Sequence, residues 1–180
     1  MRSLHACLSV LTLTVLPLLA QAKIEVLGGQ GTRNNTAVIL ADTSKGFTPL
    51  ALVTITYGVP EWKPEYTDKA EEMTKGKMFR LGRDNWPIFD SNVAIKFGSV
   101  TVPAGKYVLK ATRTGEEAWV LNVLTGDDKT VADVPLTKAA LPGSVETFTI
   151  KLTPDAKDKK AAVLELEWGT TALRAPFKVK

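Results

Sequence analysis

At 180 residues, 44% hydrophobic and 23% charged, the chain has the size and composition of a globular protein with one substantial core. Its net charge of +4 comes from dispersed lysines rather than a block, which argues against nucleic acid as a partner. A single cysteine and a single histidine leave little room for thiolate or imidazole chemistry.

Residues 1–22 read as a cleavable signal peptide. Arg2 gives a positive start, residues 8–19 an apolar core bent by Pro17, and Ala20-Gln21-Ala22 an A-x-A cleavage site. The expected mature domain is residues 23–180, periplasmic or secreted. The apolar run is too short to span a bilayer and no later stretch is apolar enough, so no transmembrane segment is expected. Cleavage would remove both Cys7 and His5. That leaves no disulfide, no Ser-His-Asp arrangement and no imidazole or thiolate metal site. No metal or cofactor is expected, and any catalysis falls to carboxylates, Lys, Tyr or Ser/Thr.

Residues 23–26 read as a short edge strand and residues 28–35 as a Gly/Asn-rich loop. Asn34-Asn35-Thr36 fits the glycosylation pattern, which matters only in a eukaryotic secretory route. Residues 37–40 form an apolar run expected to be a buried strand. In residues 51–57, Val53, Ile55 and Tyr57 alternate with Leu52, Thr54 and Thr56, the pattern of a half-buried strand. Residues 64–75 are the one helical candidate, with Asp68 and Glu71 spaced as a capping box and Gly76 as the stop.

From Met78 on, the pattern is strands and turns. Val93, Ile95 and Phe97 share a face, as do Tyr107, Leu109 and Ala111, and Trp119, Leu121 and Val123. Pro103-Ala104-Gly105-Lys106 and Gly126-Asp127-Asp128-Lys129 read as turns. Three strands close the chain, around Phe148-Ile150-Leu152, Leu164-Leu166-Trp168 and Leu173-Ala175-Phe177. A charged hairpin loop at residues 154–160 joins the first two. Pro176 and the outward lysines mark the last as an edge strand. Short strands with one apolar face each predict an all-β, single-domain antiparallel β-sandwich with at most one short helix.

Several segments resemble a known family. Gly76-Lys77-Met78-Phe79-Arg80-Leu81-Gly82 is similar to a G-K-V-W-R-T-G motif, and Val102-Pro103-Ala104-Gly105-Lys106-Tyr107 to L-P-A-G-K-Y. Trp119-Val120-Leu121-Asn122 resembles a W-x-V-I-F-N strand, Thr56-Tyr57-Gly58-Val59-Pro60 a D-Y-S-R-P strand end, and Leu164-Glu165-Leu166-Glu167-Trp168 an L-x-L-x-W strand. The ordered set resembles the bacterial exported family catalogued as domain of unknown function 2911. The resemblance implies an exported β-sandwich and carries no activity with it. The chain departs from the family pattern where Arg83-Asp84-Asn85-Trp86-Pro87 replaces A-N-E, and where Val59 replaces an arginine.

The candidate ligand site is the basic-aromatic segment Lys77, Arg80, Arg83, Asn85 and Trp86, with Trp62 nearby. Cationic side chains suit an anionic ligand, and a tryptophan face suits a sugar or planar group. The competing reading is structural: Arg80 paired with a carboxylate, Trp86 covering the end of the sandwich. Glu165 and Glu167 share a strand face with a spacing that glycoside hydrolysis could use. Opposite Leu164 and Leu166, however, they read as solvent-facing. Asp127-Asp128 is too small a set for calcium. No residue is assigned a catalytic role. The expected function is a non-catalytic binding or interaction module for a small molecule, glycan or envelope protein. The alternatives are a carboxylate-dependent glycan hydrolase and a structural envelope-accessory protein.

Overall fold

A computed structural model describes residues 33–180. The expected signal peptide and the strand at residues 23–26 lie outside the described residues. The elements in chain order are β1 (Arg33–Asp42), β2 (Thr48–Gly58), α1 (Pro64–Thr74), β3 (Met78–Arg80), β4 (Ile88–Ser91) and β5 (Ile95–Phe97). They continue with β6 (Val100–Val102), β7 (Gly105–Arg113), β8 (Trp119–Leu124), β9 (Thr130–Pro154) and β10 (Ala161–Val179). The strands form one sheet in the order β1-β2-β4-β7-β8-β9-β10-β5-β6, with β3 also paired to β7. Every pairing of named strands is antiparallel, as the alternating patterns predict.

The sheet becomes two layers because β9 belongs to both. Residues 130–136 pair with β8, and residues 137–154 pair with β10. The apolar faces meet in one core, with Val53, Ile55, Leu109 and Leu121 on one side and Ile150, Leu164, Leu166 and Phe177 on the other. β10 is itself folded back. Nine extended residues would span about 30 Å, yet Arg174 is ion-paired with Glu165, nine residues earlier. In the same sense, the Val179 N–H donates to the Lys160 carbonyl at 2.9 Å. The turn falls at Gly169, whose φ of 50° is left-handed and favours glycine. β9 wraps this tip, passing from Ala140 opposite Thr171 to Val145 opposite Gly169.

The edge of β9 away from β10 is closed by hydrogen bonds rather than left open. The Phe148 N–H donates to the Pro60 carbonyl (3.0 Å), the Ile150 N–H to the Tyr57 hydroxyl (2.9 Å) and the Leu152 N–H to Thr36 Oγ1 (3.1 Å). These are alternate residues, so their amides lie on one edge. Each buried donor has a partner, and the layers are tied together.

Four details differ from the sequence pattern. Arg33, Asn34 and Asn35 belong to β1 rather than to a loop, because β1 continues against β2 as far as Arg33↔Gly58. The run at residues 37–40 is a strand but not a buried one: β1 is the outermost strand, and Ile39 is 53% exposed. The last arm of β10 is not an edge, since residues 171–174 pair with β9 and Lys178 and Val179 pair with β5. Pro176 sits between those two pairings, where no ladder amide is required. Glu167 is buried rather than solvent-facing.

Helix α1 begins at Pro64, where a missing N–H costs nothing. Asp68 and Glu71 therefore fall within the helix rather than at its start. Gly76, with φ 65°, ends it, and its N–H donates to the Arg113 carbonyl at 2.9 Å.

Candidate functional site

The chain leaves the core between β2 and β3, and this excursion builds an aromatic-walled cleft. After Gly58 it runs along β9, bridging Glu61 to Thr147, with the Trp62 N–H donating to the Glu146 carbonyl at 2.5 Å. It then forms α1 and returns as β3. Between the outgoing and returning segments lies a cleft of about 280 Å³.

Its floor is Phe148 from β9 and Trp168 from β10, both core residues. One wall is Pro60, Glu61 and Trp62; the other is Phe79 to Gly82. The roof is α1, through Tyr66, Met73 and Thr74. Tyr66 and Met73 are seven positions apart, two helical turns, and so share a face.

The aromatic groups fix one another. Trp62 meets Tyr66 edge-on at 5.6 Å and Trp168 at 6.3 Å between centroids. Trp168 in turn meets Phe148 at 6.3 Å and Trp119 at 5.7 Å, and Phe79 stands edge-on to Trp119 at 5.9 Å. The Trp62 indole lies over Gly169, where an added Cβ would come within 2.8 Å of its Nε1. Gly82 lets the other wall approach as closely. Its φ is 115°, and a Cβ there would stand 2.6 Å from the Gly58 carbonyl oxygen. The Arg83 N–H donates to that same oxygen at 3.3 Å, pinning the loop to the end of β2.

The five basic-aromatic positions do not converge on one space. Arg80 contributes to the cleft wall, but its guanidinium donates to the carbonyls of Gly82 and Asp84 and stacks on Trp86, 5.6 Å from the ring. Trp86 is exposed and lies between Arg80 and Lys110, whose Nζ is 4.5 Å from the ring centroid. Arg83 pairs with Asp84 at 3.2 Å. Lys77 donates to the Glu72 carbonyl at 3.4 Å near the end of α1. Asn85 is half-buried and also has a partner. Arg80, Trp86 and Lys110 thus form a cation-aromatic stack beside the cleft, and Lys77 stands apart from it.

The acidic candidates are committed to cations. Glu167 pairs with Lys151 at 2.6 Å, and Glu165 pairs with Arg174. For Glu165, burial raises the pKa, but hydrogen bonds with Glu167 and Arg174 outweigh it and hold the carboxyl below its ordinary value. Glu165 borders a shallow surface hollow with Thr153 and Val163; Glu167 does not line it. In the β8–β9 turn, Asp127 is lowered to about 2 by hydrogen bonds from Lys129 and Thr125, and Asp128 pairs with Lys110 at 2.8 Å. Among the described residues, no group of three or more His, Cys, Asp or Glu side chains is placed to hold a metal.

Sequence reasoning missed most of the cleft. Phe148 and Trp168 read as ordinary core residues, and nothing marked Tyr66 and Met73 as facing them. The available signal was Pro60-Glu61-Trp62 directly after a strand, an aromatic in a connection where polar residues are the norm.

Residues 41–177 match the sequence model of a family described as Protein of unknown function (DUF2911). No curated protein and no solved structure matches the chain.

Proposed function

The chain belongs to the DUF2911 family, and on that footing we propose that it is an exported module that binds a ligand rather than transforming one. The observation that carries this reading is the aromatic-walled cleft between α1, β3 and the core. Apolar clefts of this kind, with few polar groups at the rim, are where small ligands bind. The non-catalytic reading is supported by the state of the candidate carboxylates, which are held in ion pairs on an outer sheet face. Export to the periplasm or beyond is supported by the Arg2 start, the apolar run and the Ala20-Gln21-Ala22 site. Of the segment from Lys77 to Trp86, Phe79 to Gly82 take part in this reading as one wall, while Lys77, Arg83, Asn85 and Trp86 do not line the cleft.

A thermal-shift screen of residues 23–180 against envelope glycans, lipids, metals and anions tests it. A ligand at a hundred times its Kd raises stability by about 2.7 kcal/mol, so a hit is readily seen. The expected hit is lost in Trp62→Ala. Loss in an Arg80→Ala, Trp86→Ala double variant instead would move the site to the cation-aromatic stack. A hit indifferent to all three changes would sink both locations.

A further inference from the structure

We propose that the ligand of this cleft is a small apolar molecule carrying a cationic group, with its apolar body among the aromatic walls and its charge at Glu61 and Glu146. This rests on the reading of the cleft as a binding site. It adds the sign of the charge, which the sequence had placed the other way, on an anion held by Arg80 and its neighbours.

Three observations carry it. First, the cleft does not end at Trp62. A second hollow of about 450 Å³, open to solvent, adjoins it, bordered by Glu61, Trp62, Pro64, Ser144 and Glu146. Glu61 and Trp62 belong to both, so one elongated molecule could lie across the pair. Second, neither Glu61 nor Glu146 is ion-paired among the described residues, in contrast to Glu165, Glu167, Asp127 and Asp128. Their carboxylates are available to an incoming cation, and Trp62, which lines the same hollow, adds aromatic surface beside them. Third, the cation that borders the cleft, Arg80, has turned its donors to Gly82 and Asp84 and its plane to Trp86. Two of its three nitrogens are thereby already engaged, which leaves Arg80 a weaker anion site than its position at the wall suggests. Neither Lys63 nor Lys77 lines either hollow.

The test uses three probes of matched shape: benzyltrimethylammonium, benzyl alcohol and phenylacetate. They are titrated against residues 23–180, with tryptophan fluorescence and the unfolding midpoint as readouts. The expected order is cation tightest. Glu61→Gln, at an exposed position, lowers cation affinity about two- to five-fold, as an exposed ion pair does, and leaves benzyl alcohol unchanged. Glu61→Gln with Glu146→Gln abolishes the preference. Met73→Trp, which fills the cleft from the exposed helix without removing a core residue, weakens the cation and the alcohol alike. If the alcohol binds as well as the cation, the charge assignment is wrong and the cleft remains a binding site. If phenylacetate binds tightest, the charge assignment is inverted. If no probe moves either readout, the cleft itself is not the site and both readings fall.

Discussion

Tyr57 shows how much one side chain can carry. Its ring is buried against Phe148, and its hydroxyl, 93 residues away in sequence, accepts the Ile150 N–H. Tyr57→Phe keeps the packing and strands that amide. A buried donor left without a partner costs about 1–3 kcal/mol, so urea unfolding should show a loss of that size with an unchanged m-value. Gly82→Ala should cost a similar amount by another route. At φ 115° an alanine is strained, and its methyl would meet the Gly58 carbonyl, which is backbone and cannot swing aside. Because Gly82 seats the loop carrying Trp86, the variant should also shift the tryptophan emission spectrum, a readout that simple destabilisation would not move in the folded state. Neither role was legible in the sequence. Tyr57 read only as the apolar end of a strand, and a hydrogen bond across 93 residues leaves no local pattern.

Among the elements, legibility followed pairing geometry. β2, β7 and β8 each turn an alternating apolar face to the core, and Val53-Ile55-Tyr57, Leu109-Ala111 and Trp119-Leu121-Val123 gave them away. β4 was missed because four residues after Pro87 are too few to show a period. The first arm of β9 was missed although Ala132, Val134 and Leu136 alternate inward, since Pro135 reads as a break. It is tolerated where β9 passes from β8 to β10 and the ladder changes partner. β10 was read as two strands, where the structure has one strand folded back at Gly169, and its outer face was misjudged. Glu165 and Glu167 alternate as surface residues do, yet Lys151 and Arg174 close over them from the neighbouring arms. That network gives a pH prediction. Glu165 has a folded-state pKa below its ordinary value of 4.5. Its contribution to stability is complete above that value and is lost as pH falls through the lowered one. Unfolding free energy measured from pH 7 downward should therefore begin to drop below about pH 4.5, and the Glu165 share of that drop should vanish in Glu165→Gln.

For the molecule as a whole, two crossings hold the layers together: the shared strand β9 and the hydrogen-bonded closure along its other edge. Opening the sandwich would break the bonds at Phe148, Ile150 and Leu152 together. Amide exchange at these three residues should accordingly be as slow as global unfolding permits, and Tyr57→Phe should speed all three rather than Ile150 alone. Uncoupled rates would show that the edge is a set of independent contacts. The sandwich class was legible because it needs only faces and spacing. The closure was not, because it depends on which ends of distant strands meet. The candidate site was legible in part for the same reason. Lys77 to Trp86 is continuous and conspicuous, whereas the cleft draws short runs and single residues from five places in the chain.

The cleft is also unevenly anchored within the fold. Its floor, Phe148 and Trp168, is framework, and neither can change without disturbing the hairpin of β10 and the rings packed behind it. Its roof is a short helix between two strands, and among the described residues it supplies none to the central core. A protein built this way can be re-tooled for a new ligand by replacing a dozen residues, much as a lens is changed on a fixed mount. Replacing Tyr66 and Met73 in α1 should therefore change the size of apolar group the cleft accepts, read as probe affinity, while leaving the unfolding midpoint nearly unchanged.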